Sequence, residues 1–371
     1  MSWILMVVFV GGLALAEDED PQENTAAPKE LSEGDESTDG VPLESVGEES
    51  SSIEPSKGDF TETLEDQPDT DTQVLSEDAY FDSLSDAELE EMVVTRKRSG
   101  QYDDALRHLS ILRERMDSVD YWFEEALLHE LKESYAEAAQ RYESILAVDE
   151  LNPEFRRNVQ FRYGIVLSDM GLDRDALAVF RSVSKSKGLE AHDKLILQYA
   201  RGVAFIYAGK TRKGVRKINR ALLKQNPDTG SWIEARARAA LVHVLIEESE
   251  KLTFEKPKKT SARFQKRSEL VGSAEEQIVV MINLGEPEYV LRSLVLLSEA
   301  YFQVADEMRV APPPPALSRE QQIRFQKKQL ERADFIDERG RSYCAKGVGY
   351  SDQMGFQGHS RAALDSCANG N

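Results

Sequence analysis

The sequence has few of the residues that build catalytic and metal sites. Its 371 residues include only 5 histidines and 2 cysteines. The histidines are scattered and give no metal-ligand spacing, at His108, His129, His192, His243 and His359. The chain has no glycine-rich phosphate loop, no GxSxG elbow and no CxxC motif. We therefore expect a protein that is not an enzyme and that binds neither a cofactor nor a metal ion.

Long apolar runs are also scarce. The one clear run covers residues 3–15, ends in small residues and is followed directly by the acidic residues 17–20. It is shorter than the roughly 20 apolar residues that a membrane-spanning helix needs. Residues 1–16 therefore predict a cleaved secretory signal peptide, although no lysine or arginine precedes the run. No cysteine follows the cleavage site, which argues against a lipoprotein. We expect export to the periplasm or cell envelope.

Basic residues are nearly absent from residues 17–80. That segment holds 22 acidic and 2 basic residues, whereas residues 81–371 hold 45 acidic and 44 basic ones. The net charge of −21 therefore belongs almost entirely to one segment. The segment is also poor in aromatic residues, so it cannot bury enough apolar surface to offset the entropy of ordering. We expect a disordered acidic linker at residues 17–80.

The two cysteines, Cys344 and Cys367, lie close together near the end of the sequence. In an oxidising compartment such a pair can form a disulfide. If the two residues end successive helices at different heights, they would instead remain two partly buried thiols. The sequence leaves both possibilities open.

Three kinds of side chain recur at a constant spacing of 38 residues. The small residues are Ala126, Gly164, Gly202 and Ala240; the aromatic residues are Phe123, Phe161 and Tyr199; the aliphatic residues are Leu127, Ile165, Val203 and Leu241. A fixed period of this length indicates stacked helical units, since each unit buries its apolar face against the next.

Turn and capping signals divide the repeating part into four helix pairs. The predicted pairs are 88–99 with 102–116, 121–132 with 135–148, 154–170 with 174–184, and 193–208 with 210–225. Ser85 and Glu88 form a capping-box pattern before the first helix. A basic stretch at 251–266 interrupts the pattern, and further helices are predicted at 231–249, 263–284, 287–309 and 319–344.

The four pairs resemble the tetratricopeptide repeat (TPR), in which small residues allow two helices to cross closely and large residues fill the adjacent space. The residues that carry the resemblance are Gly100, Tyr102, Ala105 and Leu109; Trp122, Ala126, Tyr135, Ala138 and Tyr142; Gly164, Gly171, Ala176, Phe180 and Val183; and Gly202, Gly209, Gly214, Ile218, Ala221 and Pro227. The period departs from the usual 34 residues by about one helical turn. The resemblance implies an all-α fold, a right-handed superhelix of helical hairpins at 81–229, with extra C-terminal helices and degenerate repeats at 230–371.

A second resemblance concerns the C-terminal part. Four consecutive prolines, Pro312 to Pro315, separate the predicted helix 287–309 from a long amphipathic helix that Ser318 and Gln321 can cap. This arrangement is similar to TPR proteins of bacterial envelopes, including those of gliding-motility complexes. The similarity implies that the chain is a subunit of an envelope or motility complex.

Two surfaces are predicted to contact partners. The first is a peptide-binding groove on the concave face, for which the alternative is that later helices of the chain cover the same residues. Its predicted lining is Phe123, Leu127, Glu130, Phe161, Ile165, Ser168, Tyr199, Val203 and Ile206. The second is a basic stripe along one helix face, formed by Lys213, Arg216, Lys217, Arg220 and Lys224.

The basic stripe leaves several partners open. Anionic lipid head groups, an acidic protein and the chain's own acidic linker all suit it, and a merely solvated face is the alternative. A second basic cluster at 256–267 could contact the linker in the same way. We expect other envelope proteins as partners, no nucleic acid, and at most peripheral membrane contact.

The sequence thus favours an exported TPR scaffold for protein–protein interactions in the bacterial cell envelope. One alternative is a TPR component of outer-membrane assembly or trafficking. Another is a superhelical enzyme that acts on peptidoglycan, which would need a catalytic domain that the residues after Asp228 do not suggest.

Overall fold

The computed structural model describes residues 81, 83–224, 230–254 and 260–370. The predicted signal peptide at 1–16 and acidic linker at 17–80 lie outside the described residues, as does Pro227. Within the described ranges every regular element is an α-helix, which confirms the predicted all-α class. The helices are α1 Asp86–Arg98, α2 Tyr102–Arg115, α3 Val119–Leu131, α4 Tyr135–Leu146, α5 Pro153–Asp169, α6 Asp173–Val183, α7 Ala191–Tyr207, α8 Thr211–Leu222, α9 Ser231–Glu250, α10 Thr260–Leu284, α11 Pro287–Val310, α12 Arg319–Met354 and α13 His359–Ala368.

Short turns join the members of each of the four helix pairs. Gly100, Gly171 and Gly209 adopt left-handed backbone conformations, with φ of 73°, 76° and 71°. The second pair has Glu133 at this place, with φ of 65°. A residue with a side chain pays about 1–2 kcal/mol for this conformation. The carboxylate of Glu133 forms an ion pair of 2.6 Å with Arg292 of α11, so this turn also serves a long-range contact.

The small residues of the 38-residue step lie where paired helices cross. The closest crossing joins α7 and α8 at Gly202 and Gly214, where a Cβ on Gly214 would lie 2.5 Å from the Gly202 carbonyl oxygen. At the α5–α6 crossing, a Cβ on Gly164 would lie 2.7 Å from the ring of Phe180. Ala126 and Ala240 are fully buried at the corresponding positions. The 38-residue spacing therefore marks the positions at which the paired helices pack against each other.

The first helices of successive pairs stack side by side. Residues of α5, α7 and α9 share one core, in which Phe161 and Tyr199 pack with Ala237 and Ala240. An earlier core joins α3, α4 and α5 around Tyr142 and Val166. The helix α9 thus continues the stack as a fifth first helix, as its place in the 38-residue step predicts.

The C-terminal helices pack back on the first repeat. A single core contains Leu89 and Leu109 of the first pair together with Leu291 of α11 and Leu364 of α13. The Gln357 amide donates a hydrogen bond of 2.7 Å to the Ser99 carbonyl at the first turn. The side chain of Phe356 lies against Gly100. This core therefore includes helices from both sides of residue 230.

The last two helices differ from the sequence-based prediction. The helix α12 continues to Met354, ten residues beyond the predicted end, and α13 was not predicted. Ser318 caps α12 in a capping box with Gln321, as the sequence predicts. Cys344 of α12 and Cys367 of α13 form a disulfide, with Cα atoms 5.9 Å apart. The two residues thus lie at the same height, and the disulfide ties α13 to α12.

Candidate functional site

The nine predicted groove residues do not line an open groove. Phe161, Ile165, Ser168, Tyr199, Val203, Ile206 and Glu130 are buried, and Phe123 and Leu127 are half-buried. The ring of Phe123 packs on Phe155 of α5, with centroids 5.5 Å apart, and the ring of Phe161 packs on Trp232 of α9. Later helices of the chain cover these positions, which is the alternative that the sequence left open. The prediction of a groove was wrong because residues that repeat at the packing register pack against the next repeat.

The inner helices are instead joined by buried ion pairs. Glu130 of α3 accepts hydrogen bonds from the Tyr142 hydroxyl at 2.9 Å and from Arg162 Nη1 at 3.1 Å. The Arg162 guanidinium lies 3.8 Å from the ring centroid of Trp232. Burial raises the pKa of Glu130, while the charge of Arg162 and the Tyr142 hydroxyl oppose this shift. These contacts link α3, α5 and α9, so Glu130 is a structural residue and not part of a peptide groove.

A second ion pair lies further along the same stack. Arg236 of α9, which is 6% exposed, pairs with Asp169 of α5. Burial opposes the charge of Arg236, but the Asp169 carboxylate, together with Tyr207 and Tyr289, keeps the pKa of Arg236 above its ordinary value. The half-buried Arg162 and the buried Arg236 thus each have a carboxylate partner.

A third cluster of polar side chains lies where α11 meets the turns of the first two helix pairs. Glu288 accepts a hydrogen bond of 3.4 Å from the Tyr102 hydroxyl and pairs with Arg292, which also contacts Glu133. Burial raises the pKa of Glu288 to about 7, against the attraction of Arg292. The adjoining cleft, bordered by Phe356, has a volume of about 10 Å³, room for about one water molecule. The group therefore links the repeat helices to the C-terminal helices.

A wider depression lies at the N-terminal ends of α3 and α5. Its volume is about 450 Å³, and Asp120, Glu154, Phe155 and Asn158 are among the residues that line it. The depression is open to solvent and carries no cluster of His, Cys, Asp and Glu suited to a metal, nor does any other place in the described ranges.

The predicted basic stripe is a real surface feature. Lys213, Arg216, Arg220 and Lys224 are exposed on or just after α8, and Lys217 is half-buried between them. The opposite face of α8 packs into the core through Gly214, Ile218 and Ala221. No ion pair joins the five cations to an acidic residue in the described part of the chain. We call these five residues, with Arg201 of α7, the basic face.

Arg201 was not predicted from the sequence. It adjoins Gly202, at which α7 crosses α8, and its charge acts on Lys217. Burial lowers the pKa of Lys217, and repulsion by Arg201, Lys213, Arg220 and Lys224 lowers it further. Arg201 directly precedes Gly202, the residue at which α7 crosses α8. That neighbouring position was the sequence signal that could have assigned Arg201 to the basic stripe.

The second basic cluster differs from the basic face. Lys256, Lys258 and Lys259 lie outside the described residues. Arg267 is 1% exposed and pairs with Glu307 at 2.8 Å, while Lys266 pairs with Glu269 at 2.9 Å. The described part of this cluster belongs to α10, where Arg267 is buried in an ion pair and therefore does not present its charge to the linker.

Comparison with protein families gives one match. Residues 92–153 match the tetratricopeptide repeat family model, a range that extends from within α1 to the first residue of α5. A search of curated proteins found no match. The chain thus contains tetratricopeptide repeats, and such repeats mediate protein–protein interactions. None of the helices described is long and apolar enough to cross a membrane.

Proposed function

We propose that this chain is an exported, non-catalytic tetratricopeptide-repeat scaffold that binds other proteins in the bacterial cell envelope, as a subunit of an envelope complex such as a motility complex. The observation that carries the proposal is the stack of helical hairpins, part of which matches the repeat family. Stacked repeats present a large rigid surface for partners.

Two features support an envelope location. The sequence of residues 1–16 has the pattern of a secretory signal peptide. The pairing of Cys344 with Cys367 suits an oxidising compartment, in which disulfides persist. The proline-rich turn at 312–315 between α11 and α12 supports the likeness to envelope complexes that the sequence suggests.

The surface proposed for partner contact is the basic face, because the inner apolar positions are filled by the chain itself. Its side chains project from α8, which the core holds in place through Gly214, Ile218 and Ala221. A rigid helix presents contact residues with little loss of entropy on binding.

Photocrosslinking in intact cells tests this proposal. A photoreactive amino acid replaces Arg216 or Arg220, and matched controls carry it at Gln140 or Ser144, the exposed positions 76 residues earlier in α4. We expect an envelope protein to crosslink at α8 and not at α4. Absence of any crosslinked protein at both α8 positions would contradict the proposal.

Two further measurements address the alternatives. Cell fractionation that leaves the chain freely soluble in the periplasm would exclude a membrane-anchored role in outer-membrane assembly. A peptidoglycan zymogram of the purified chain should show no clearing, and a cleared band would contradict a non-catalytic role.

A further inference from the structure

The basic face is specific to the fourth helix pair. The buried positions of α8, Gly214, Ile218 and Ala221, correspond at the 38-residue step to Ala176, Phe180 and Val183 of α6. All of these are small, aromatic or aliphatic, as packing demands. The cationic positions are shared only at Lys217, where Arg141 of α4 is also a cation. One step before Lys213, Lys217 and Arg220, the chain has Asp175, Val179 and Ser182, and the positions two steps before are Glu137, Arg141 and Ser144.

This difference separates the basic face from the architecture of the repeat. Packing explains the residues that α6 and α8 share, but it does not require cations on the solvent side of α8. Like charges on one helix face destabilise the helix. A cluster that costs stability and that the other repeats lack points to a role outside folding.

Several cations elsewhere on the repeats have carboxylate partners. Lys97 pairs with Glu124 at 2.8 Å, and Arg141 pairs with Glu125 at 2.8 Å. On the basic face, in the ranges that the structure describes, Lys213 instead lies 4.0 Å from the ring centroid of Phe205, and Lys224 donates to the Gln198 side chain at 3.4 Å. The contrast leaves the charge of α8 available to an external anion.

Two groups of the basic face are recessed. Lys217 is half-buried, whereas the four cations around it on α8 are exposed. The Nε atom of the half-buried Arg201 is itself buried and has no hydrogen-bond partner among the described groups. A buried donor without a partner is unfavourable. Arg201 and Lys217 therefore add positive charge beneath the exposed cations of α8.

The geometry favours a peptide over a lipid surface. The apolar face of α8 is occupied by the core, so α8 cannot insert into a bilayer, and the one strongly exposed apolar side chain at its end is Leu223, which is 86% exposed. The stripe from Lys213 to Lys224 is about 16 Å long at 1.5 Å per helical residue. That length matches about five residues of an extended chain at ~3.3 Å each.

We infer that the basic face binds an acidic polypeptide segment of a partner protein, about five residues long and rich in Glu and Asp. This inference rests on the proposed role of the chain as a protein scaffold and specifies the chemistry of the partner.

Fluorescence anisotropy with the full chain and labelled hexaglutamate tests the inference. We expect saturable binding that weakens as the salt concentration rises. The variant R216Q/R220Q should bind about tenfold more weakly, since it loses two exposed ion pairs. R216K/R220K should retain most of the binding. The matched control R324Q/R332Q removes two exposed arginines from α12 and should bind as the wild type does.

Three outcomes would overturn the inference. The first is that hexaglutamate does not bind, and the second is that the control variant weakens binding as much as R216Q/R220Q does. The third is binding to phosphatidylglycerol vesicles through Arg216 and Arg220 without binding to the peptide, which would identify a lipid surface. If photocrosslinking at Arg216 still captures an envelope protein, the scaffold role stands and only the acidic chemistry of the partner is wrong. Circular dichroism of each variant establishes that it is folded.

Discussion

Substitution of Gly214 by alanine should destabilise the fold, although alanine is the better helix former. A Cβ at this position would lie 2.5 Å from the Gly202 carbonyl oxygen and 2.9 Å from the Ile206 amide nitrogen. Overpacking of a core costs about 1–3 kcal/mol. Because the obstructing atoms belong to the backbone of α7, we expect a cost near the upper end of that range.

The helix propensity of alanine opposes this cost. Alanine is favoured over glycine in a helix interior by about 1 kcal/mol. The net effect of Gly214→Ala is therefore a loss of about 2 kcal/mol in the free energy of unfolding. The matched control is Gly349→Ala in α12, where no atom lies within 4 Å of the added Cβ. This control should gain about 0.5–1 kcal/mol.

Urea unfolding followed by far-ultraviolet circular dichroism measures both variants. The expected result is a lower midpoint for Gly214→Ala and a slightly higher one for Gly349→Ala. If the two variants unfold at the same midpoint, the close crossing of α7 and α8 does not exist in solution. In that case the interpretation of the 38-residue step as a packing register would be wrong.

Three further predictions concern other contacts. Replacing Cys344 and Cys367 by serine should lower the free energy of unfolding by about 3 kcal/mol, because the disulfide closes a loop of 23 residues and so restricts the unfolded chain. In reducing buffer, the thermal midpoint of the wild type should fall to that of the variant. Because the pKa of Glu288 is raised to about 7, the folded state keeps its proton at pH values where the unfolded state has lost it, so the stability that this group contributes falls as pH rises from about 4.5 to about 7. Glu288→Gln should remove that fall in urea titrations across this range, and an unchanged pH dependence would contradict the assigned shift. Tyr142→Phe should cost about 1–3 kcal/mol, because it leaves the buried Glu130 with one donor fewer, and a variant as stable as the wild type in urea would refute this role.

The helix pairs were predictable because their signals are local. Ser85 and Glu88 form the capping box that their spacing predicts, and Gly100, Gly171 and Gly209 adopt the left-handed turns that glycine permits. Each signal acts within a few residues of the chain. Their positions could therefore be inferred without knowledge of the tertiary fold.

The end of α12 was not predictable in this way. Gly347 and Gly349 lower the helix propensity after Cys344, which favours an end near that residue. In the structure Gly347 lies against Leu364 of α13 and Leu294 of α11, so its lack of a side chain permits a close helix contact. Tertiary packing thus outweighs propensity, and a single sequence does not show which distant helix will pack there.

The 38-residue packing register also explains why the residues of the predicted groove are buried while the residues of the predicted basic stripe lie at the surface. Positions that recur at the 38-residue step, such as Phe161 and Tyr199, recur because each repeat must bury the same face against the next. Regularity in a stacked array therefore marks the interior. A contact surface specific to one protein should instead occupy positions where one repeat departs from its neighbours without a packing reason. Lys213 and Arg220 meet that condition. The equivalent positions hold Asp175 and Ser182 in α6, and Glu137 and Ser144 in α4. On this argument, partner contacts should be sought at the irregular positions of such arrays and not at the regular ones.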